Sequence, residues 1–203
     1  MPALTDLLRP FLAKPLSTEQ TKQVVIYLDF LLKWNAKISL TAVRSPEEIV
    51  QRHFGESFFA AERAGVAEAF SLIDVGSGAG FPGLPMAILA PTVQVTLIES
   101  QQKKVAFLRE VVRALELKNV SVYAGRAEDA KLKAQIVTMR AVEKFETVLP
   151  VAASLVQTSD TLALLIGASQ ADKARKATTD FVWLDPISVP KSRERVLIIG
   201  GRR

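Results

Sequence analysis

The stretch Ser71-Leu-Ile-Asp-Val-Gly-Ser-Gly-Ala-Gly80, followed by Phe81-Pro-Gly-Leu-Pro85, decides how this 203-residue chain folds. Apolar or small residues run into Asp74, and glycines then recur at 76, 78 and 80. The pattern predicts a buried strand ending in a tight glycine-rich turn, with a helix opening at Pro82. Glycine is needed where the backbone takes positive φ or presses against a ligand. A helix start behind such a turn offers free N–H groups to polar or anionic atoms. The stretch therefore reads as a cofactor loop of the nucleotide-binding kind.

Two cofactors compete for it. Gly78-x-Gly80-x-x-Gly83 meets the spacing of the dinucleotide fingerprint of NAD(P) enzymes. Its first glycine, however, comes two residues after the turn opens, and Pro82 falls where its helix should already run. The better fit is acidic-x-Gly-x-Gly-x-Gly starting at Asp74, which resembles the first motif of S-adenosylmethionine (SAM) dependent methyltransferases. The next predicted strand, 93–99, ends in Glu99. That acid lies about 20 residues beyond the turn, where ribose hydroxyls need an acceptor.

Working outward, residues 1–70 read as helices. Ser17-Thr-Glu-Gln20 is a capping box before an apolar periodicity that reaches about Trp34. Ser45-Pro-Glu-Glu48 is a second start signal, and Ile49, Phe54 and Phe58 give that helix its apolar stripe. The segment 34–41 between them is too polar for a simple helix face. From residue 71 the rhythm becomes strand–helix alternation, with strands near 71–75, 93–98, 119–124, 135–139, 161–166, 181–184 and 195–199 and helices between the first five. This is βαβ logic and predicts a parallel sheet covered on both faces. The last two strands are joined by Asp185-Pro-Ile-Ser-Val-Pro190, too short for a helical crossover, so they should pair antiparallel. The expected fold is thus α/β, with a mostly parallel, Rossmann-like seven-stranded sheet and one reversed C-terminal strand, an architecture that resembles the class I SAM-dependent methyltransferases. An N-terminal helical extension (1–70) would pack on the methyltransferase domain (71–203) as one compact unit.

Composition narrows the chemistry. The chain has no cysteine, which removes disulfides, thiolate catalysis and the cysteine-dependent route to C5 methylation. With a single histidine as well, a zinc site is not expected, and the metal prediction is none. His53 reads as a helix residue at a contact between elements, not as a catalyst. The fourth strand is followed by no Asn/Asp-Pro-Pro-aromatic motif, which disfavours methylation of an exocyclic amine. No apolar run spans a bilayer and the N-terminus has no signal pattern, so a cytoplasmic protein with no membrane partner is expected. Net charge is +5, and residues 171–203 hold eight Lys/Arg against four Asp/Glu. A basic terminus is a modest pointer to nucleic acid.

An acceptor atom that already carries a free lone pair, such as guanine N7, needs alignment and desolvation and no general base. An arginine able to bond the Hoogsteen edge or a nearby phosphate would suit that task. Arg140, ending the fourth strand, is the candidate, with a surface ion pair to Glu143 or Glu146 as its alternative role. In Arg126-Ala-Glu-Asp129, Ala127 and Glu128 would flank an adenine. Arg109 and Arg113, with Glu110 and Glu116 in pairing reach of Arg113, read as a solvated helix face.

At this point the chain resembles the 16S ribosomal RNA guanine-N7 methyltransferase family. The resemblance rests on Lys33-Trp-Asn35, Leu40-Thr41, Val43-Arg44, Arg52-His53, Ile73-Asp-Val-Gly-Ser-Gly-Ala-Gly-Phe-Pro-Gly-Leu-Pro85, Leu97-Ile-Glu-Ser100, Phe107-Leu-Arg109, Arg126-Ala-Glu128 and Arg140-Ala141. It implies SAM as cofactor, S-adenosylhomocysteine as product, and contacts at Gly76, Phe81, Ala127, Glu128 and Arg140. The residues themselves add Asp74, Gly78, Gly80 and Glu99. Two departures stand out: the family usually has a lysine just before Gly167, and Glu56 occupies a position where aspartate is commoner. The implied partner is 16S RNA or the 30S subunit, met by a monomer. Lys33, Lys37, Arg44 and Arg52 form one expected phosphate-binding set. Lys191, Arg193 and Arg195 alternate and would share a face if extended, forming a second. The two sets should flank the cofactor mouth, with Trp34 or Phe81 beside a splayed base. Turnover of a small molecule, or RNA binding without catalysis, are the rival functions.

Overall fold

The computed structural model describes residues 3–142 and 144–203. Strands β1 (Ser71–Val75), β2 (Gln94–Glu99), β3 (Val120–Ala124), β4 (Ala134–Arg140), β5 (Val156–Gly167), β6 (Phe181–Trp183), β7 (Ile187–Ser188) and β8 (Arg195–Arg202) form one sheet. Its order is β3-β2-β1-β4-β5-β8-β6, with β7 also on β8. Strands β1 to β5 pair in parallel, while β8 runs antiparallel to β5, β6 and β7. Chain order reverses between β1 and β4, which opens a crevice at their carboxyl ends. In register, Asp74 of β1 faces Leu97 of β2 and Thr138 of β4.

Three expectations change. The sheet has eight strands, the extra one being the two-residue β7. No helix joins β3 to β4; a single turn at Ala127–Asp129 does, because 125–133 is short, polar and without an apolar period. The helix after the glycine turn begins at Gly83, with Pro82 as its cap. The remaining sheet helices are α5 (Gly83–Leu89), α6 (Gln102–Ala114), α7 (Phe145–Ser154) and α8 (Ala171–Ala177).

Ahead of the sheet lie α1 (Leu4–Leu8), α2 (Thr18–Asn35), α3 (Pro46–Ile49) and α4 (Glu56–Arg63). Ser17 Oγ accepts from Gln20 N–H, and Gln20 Oε1 accepts from Ser17 N–H, completing the capping box that starts α2. A π-helical segment, Val50–Gly55, links α3 to α4, so 46–63 is one continuous rod. Wide turns of this kind frequently sit at functional sites. Tyr27, Phe54 and Phe58 are fully buried in the same cluster as Leu72, Leu84, Leu97 and Phe107. Each such side chain contributes about 1.5–3 kcal/mol of burial, so the N-terminal layer shares the core of the sheet. Because β-strand side chains alternate, Ile73 and Val75 instead join a second cluster on the opposite face, with Val137, Leu149 and Leu162. No described helix is long and apolar enough to cross a membrane.

Candidate functional site

The loop after β1 turns through Gly76 (φ +69°) and Gly78 (φ +57°), conformations that side chains other than glycine rarely adopt. The N–H groups of Gly76 and Ser77 both donate to the Ile98 carbonyl at 3.0 Å, which fastens the loop to β2. Gly78 N–H donates to Glu99 Oε2 at 2.9 Å, and Gln101 N–H to Oε1 at 2.8 Å. Glu99 is only 6% exposed, yet it faces the cleft, and a carboxylate has lone pairs left for further donors after accepting two. A Cβ on Gly78 would meet no atom nearer than 3.7 Å, because the space above it is open.

That space is a cleft of about 570 Å³, lined by Gly76, Gly78, Phe81 and Glu99, by Ala127 and Glu128, and by Thr41, His53 and Arg140. Its size lies within the ordinary range of small-molecule sites. A bare glycine cradle beside an inward-facing carboxylate fits a nucleoside with its ribose hydroxyls on Glu99. Seven of the nine cofactor residues expected from sequence therefore share one cavity.

The other two do not reach it. Asp74 is fully buried beneath the cleft, where Oδ2 accepts Gly83 N–H at 3.2 Å and Oδ1 accepts the Thr138 hydroxyl at 3.1 Å. Its role is to tie β1 to α5 and β4. Gly80 closes the turn by donating to the Ser77 carbonyl at 2.6 Å. Burial lifts the Asp74 carboxyl to about 6. A folded pKa above the unfolded value means that the folded state takes up a proton as pH falls through 6, so acidification stabilises it relative to a variant unable to titrate. Denaturant unfolding should show the stability of wild type minus that of Asp74→Asn rising between pH 7 and 4, by on the order of 2–3 kcal/mol.

Arg140 ends β4 against the π-helical segment. Its Nη2 donates to Glu56 Oε2 at 3.1 Å and to the Arg52 carbonyl at 2.5 Å, and Nη1 donates to the His53 carbonyl at 3.4 Å. The expected partners are not the ones found: Glu146 pairs with Lys173 at 2.6 Å, and Glu143 lies outside the described residues. Glu56 also holds Arg195, whose Nε lies 2.9 Å from both carboxylate oxygens. One carboxylate, 1% exposed, thus clamps two arginines. Burial lowers Arg140 to about 10, leaving it charged at neutral pH. His53 is pushed down to about 3 by burial and by Arg140, Arg52 and Arg195, so it stays neutral. It stacks on Phe81 at 4.9 Å, and Phe81 stacks on Tyr27 at 5.2 Å. The Tyr27 hydroxyl donates to the Ala79 carbonyl inside the glycine loop.

A second cavity of about 640 Å³ lies beside the first, the two sharing Thr41, Ala42, His53, Arg140 and Ala141 as lining. Arg44, Arg52 and Arg195 line it against a single acid, Glu48, which pairs with Arg52 at 2.7 Å. One member of the C-terminal basic set thus meets two of the N-terminal set. Lys33, Lys37, Lys191 and Arg193 are exposed and line neither cavity. Lys191 has φ +59° in a turn where Ser192 N–H donates to the Val189 carbonyl, so 191–195 is not extended and its basic residues do not share a face. Trp34 donates to Glu110 Oε2 at 3.2 Å and packs on Phe107, joining α2 to α6 away from the mouth. Glu110 is thereby engaged with Trp34, whereas Arg109 and Arg113 remain exposed.

Three residues of the site were given no role by the sequence reading, although it quoted all three. Glu56 carried a signal, an acid between Phe54 and Phe58 in an apolar stripe. Thr41 and Asn35 lay in the polar 34–41 segment: Asn35 Oδ1 accepts the N–H groups of Leu40 and Thr41, and Nδ2 donates to the Thr41 carbonyl. Asn35 thus fixes the loop that carries Thr41 to the cavity wall.

Residues 20–196 match the sequence pattern of rRNA small subunit methyltransferase G. Ribosomal RNA small subunit methyltransferase G of Clostridium botulinum (strain Eklund 17B / Type B) is 49% identical over 114 residues, 56% of this chain and 48% of its own length. The chain thus spans about half the length of that relative in the match. The protein of that name from Roseiflexus sp. (strain RS-1) is 36% identical over 197 residues, 91% of this chain and 84% of its own length. Among solved structures, M. jannaschii TYW2 in complex with AdoMet shares the fold, with a TM-score of 0.59 at 17% identity, covering 73% of this chain and 76% of that one.

Proposed function

The chain belongs to the rRNA small subunit methyltransferase G family, and we propose that it transfers a methyl group from SAM to N7 of a guanosine in 16S ribosomal RNA. The observation that carries this reading is the arginine-lined cavity that adjoins the glycine cleft and shares Arg140 with it. SAM supplies an electrophilic sulfonium methyl. Gly76, Gly78 and Phe81 would shape its bed, Glu99 would accept its ribose hydroxyls, and Ala127 and Glu128 would flank its adenine. Asp74 and Gly80 would act one layer below, holding the loop. Arg140 would hold the wall where the base enters, and Arg44, Arg52 and Arg195 would neutralise phosphates. Lys33, Lys37, Lys191 and Arg193 would extend that field over the outer surface. Guanine N7 has no proton to lose, which suits a site whose histidine is neutral and whose other polar side chains at the shared wall, Thr41 and Arg140, can donate. The natural setting would be the cytoplasm, the substrate 16S RNA or the 30S subunit, and the working form a monomer. The helical layer 1–70 and the sheet 71–203 would fold as one unit, since they share a core.

The test is methyl transfer from radiolabelled SAM to small-subunit RNA, naked and in subunits lacking the modification. Label should map to one site by reduction and aniline cleavage, which is selective for 7-methylguanosine. Label without cleavage would move the target atom, and SAM binding without label would favour a small-molecule substrate or a non-catalytic RNA binder. Arg44→Ala should weaken RNA binding evenly across sequences and lower the slope of log affinity against log salt by about 1. An unchanged slope in filter-binding titrations would remove Arg44 from the phosphate set.

A further inference from the structure

We propose that the Thr41 hydroxyl reads the six-position oxygen of the target guanine and so selects guanine over adenine. This rests on the guanosine-N7 reading and names the group that enforces it. Arg140 Nη2 lies 3.3 Å from His53 Nδ1. A guanidinium only donates, and an Nδ1 facing it is best served by a lone pair, so we assign the single proton of the neutral ring to Nε2. Nε2–H then donates to Thr41 Oγ1 at 2.8 Å, and Val43 N–H donates to the same oxygen at 3.1 Å. Both lone pairs of Oγ1 are thereby taken, and the hydroxyl proton must point elsewhere. Among the described residues Oγ1 has no hydrogen-bond partner besides His53 and Val43.

Thr41 stands on the wall common to the two cavities, between the glycine cleft and the arginines. Its loop is held by the three Asn35 bonds, so the hydroxyl is placed before any substrate arrives. Arg140, by contrast, shares the two protons of Nη2 among Glu56, the Arg52 carbonyl and His53, and it acts on the base through His53 and Thr41. Guanine shows two acceptors along one edge, O6 and N7, whereas adenine shows an amino donor in place of O6. A donor fixed at this wall pairs with O6, leaves the N7 lone pair free for the methyl group, and opposes the adenine amine.

The test uses the small-subunit RNA with the mapped guanosine, and the same RNA with 2-aminopurine, which lacks O6, at that position. Wild type should lose about tenfold or more in kcat/KM on 2-aminopurine, the scale of one base-edge contact. Thr41→Val should fall by the same factor on guanosine and lose nothing further on 2-aminopurine, while Thr41→Ser keeps the discrimination. Equal losses of Thr41→Val on both substrates would make Thr41 merely structural and overturn the proposal. Because the chain has one histidine, ¹⁵N NMR reads its tautomer directly: Nε2–H with no titration between pH 5 and 8 is expected, and Nδ1–H would overturn the chain of donors. Absence of guanosine labelling by wild type would overturn both readings, whereas labelling with unchanged discrimination in Thr41→Val would overturn this one alone.

Discussion

Glu56→Ala should lose about 3–5 kcal/mol of folding stability, the usual cost of removing one partner from a buried ion pair. The carboxylate is 1% exposed and is the shared counter-ion of Arg140 and Arg195. Without it, two guanidinium groups, Arg140 largely buried and Arg195 a quarter exposed, face each other with no counter-ion between them. Arg140 would retain the carbonyls of Arg52 and His53, but Arg195 would swing into the second cavity. Methyl transfer should fall with stability, since the wall shared by the two cavities is built on this clamp. Glu56→Gln keeps the shape and one acceptor while losing the charge, so it should fall between wild type and Glu56→Ala. Urea unfolding with a parallel transfer assay checks both. A Glu56→Ala variant as stable as wild type would mean that the two arginines need no common partner.

Gly78→Asp should fold but weaken SAM binding by roughly a hundredfold or more, equivalent to ~2–3 kcal/mol, the scale of a lost buried polar contact. Aspartate tolerates the left-handed conformation better than most residues, so the φ of +57° costs only modest stability. Its side chain would enter open space instead of protein, and that space is the cleft. The new carboxylate would also stand beside Glu99, whose Oε2 accepts Gly78 N–H. Calorimetric titration with SAM, and a thermal melt with and without it, would separate lost binding from lost folding. Retained affinity would place the ligand elsewhere.

The sheet was legible because its signals are local. Short apolar runs separated by helix-length segments mark the central strands, and the short Pro-containing connection announces the antiparallel pairing at the end. What failed was also local in cause: Lys191, Arg193 and Arg195 alternate in sequence, but a left-handed residue at 191 breaks the extended backbone that alternation presumes. The glycine turn was readable because Gly76, Gly78 and Gly80 stand close together in the chain. The second cavity was not, since Arg44, Arg140 and Arg195 meet only through tertiary contacts, and a lone acid such as Glu56 shows neither its burial nor its two partners. Asp74 shows the reverse failure, for a residue in the right motif proved to be one layer beneath the ligand space.

The bond from the Tyr27 hydroxyl to the Ala79 carbonyl makes the long N-terminal helix the back wall of the glycine loop. Whatever settles into that loop is therefore thermodynamically coupled to a helix it never touches, and such coupling is reciprocal. SAM should slow amide hydrogen exchange along Thr18–Asn35 as well as in the loop. Conversely, prising that helix away should empty the cleft even though every residue lining its floor is intact. The helix Thr18–Asn35 would then set cofactor affinity, which makes it a means of adjusting turnover without altering a residue that lines the cleft.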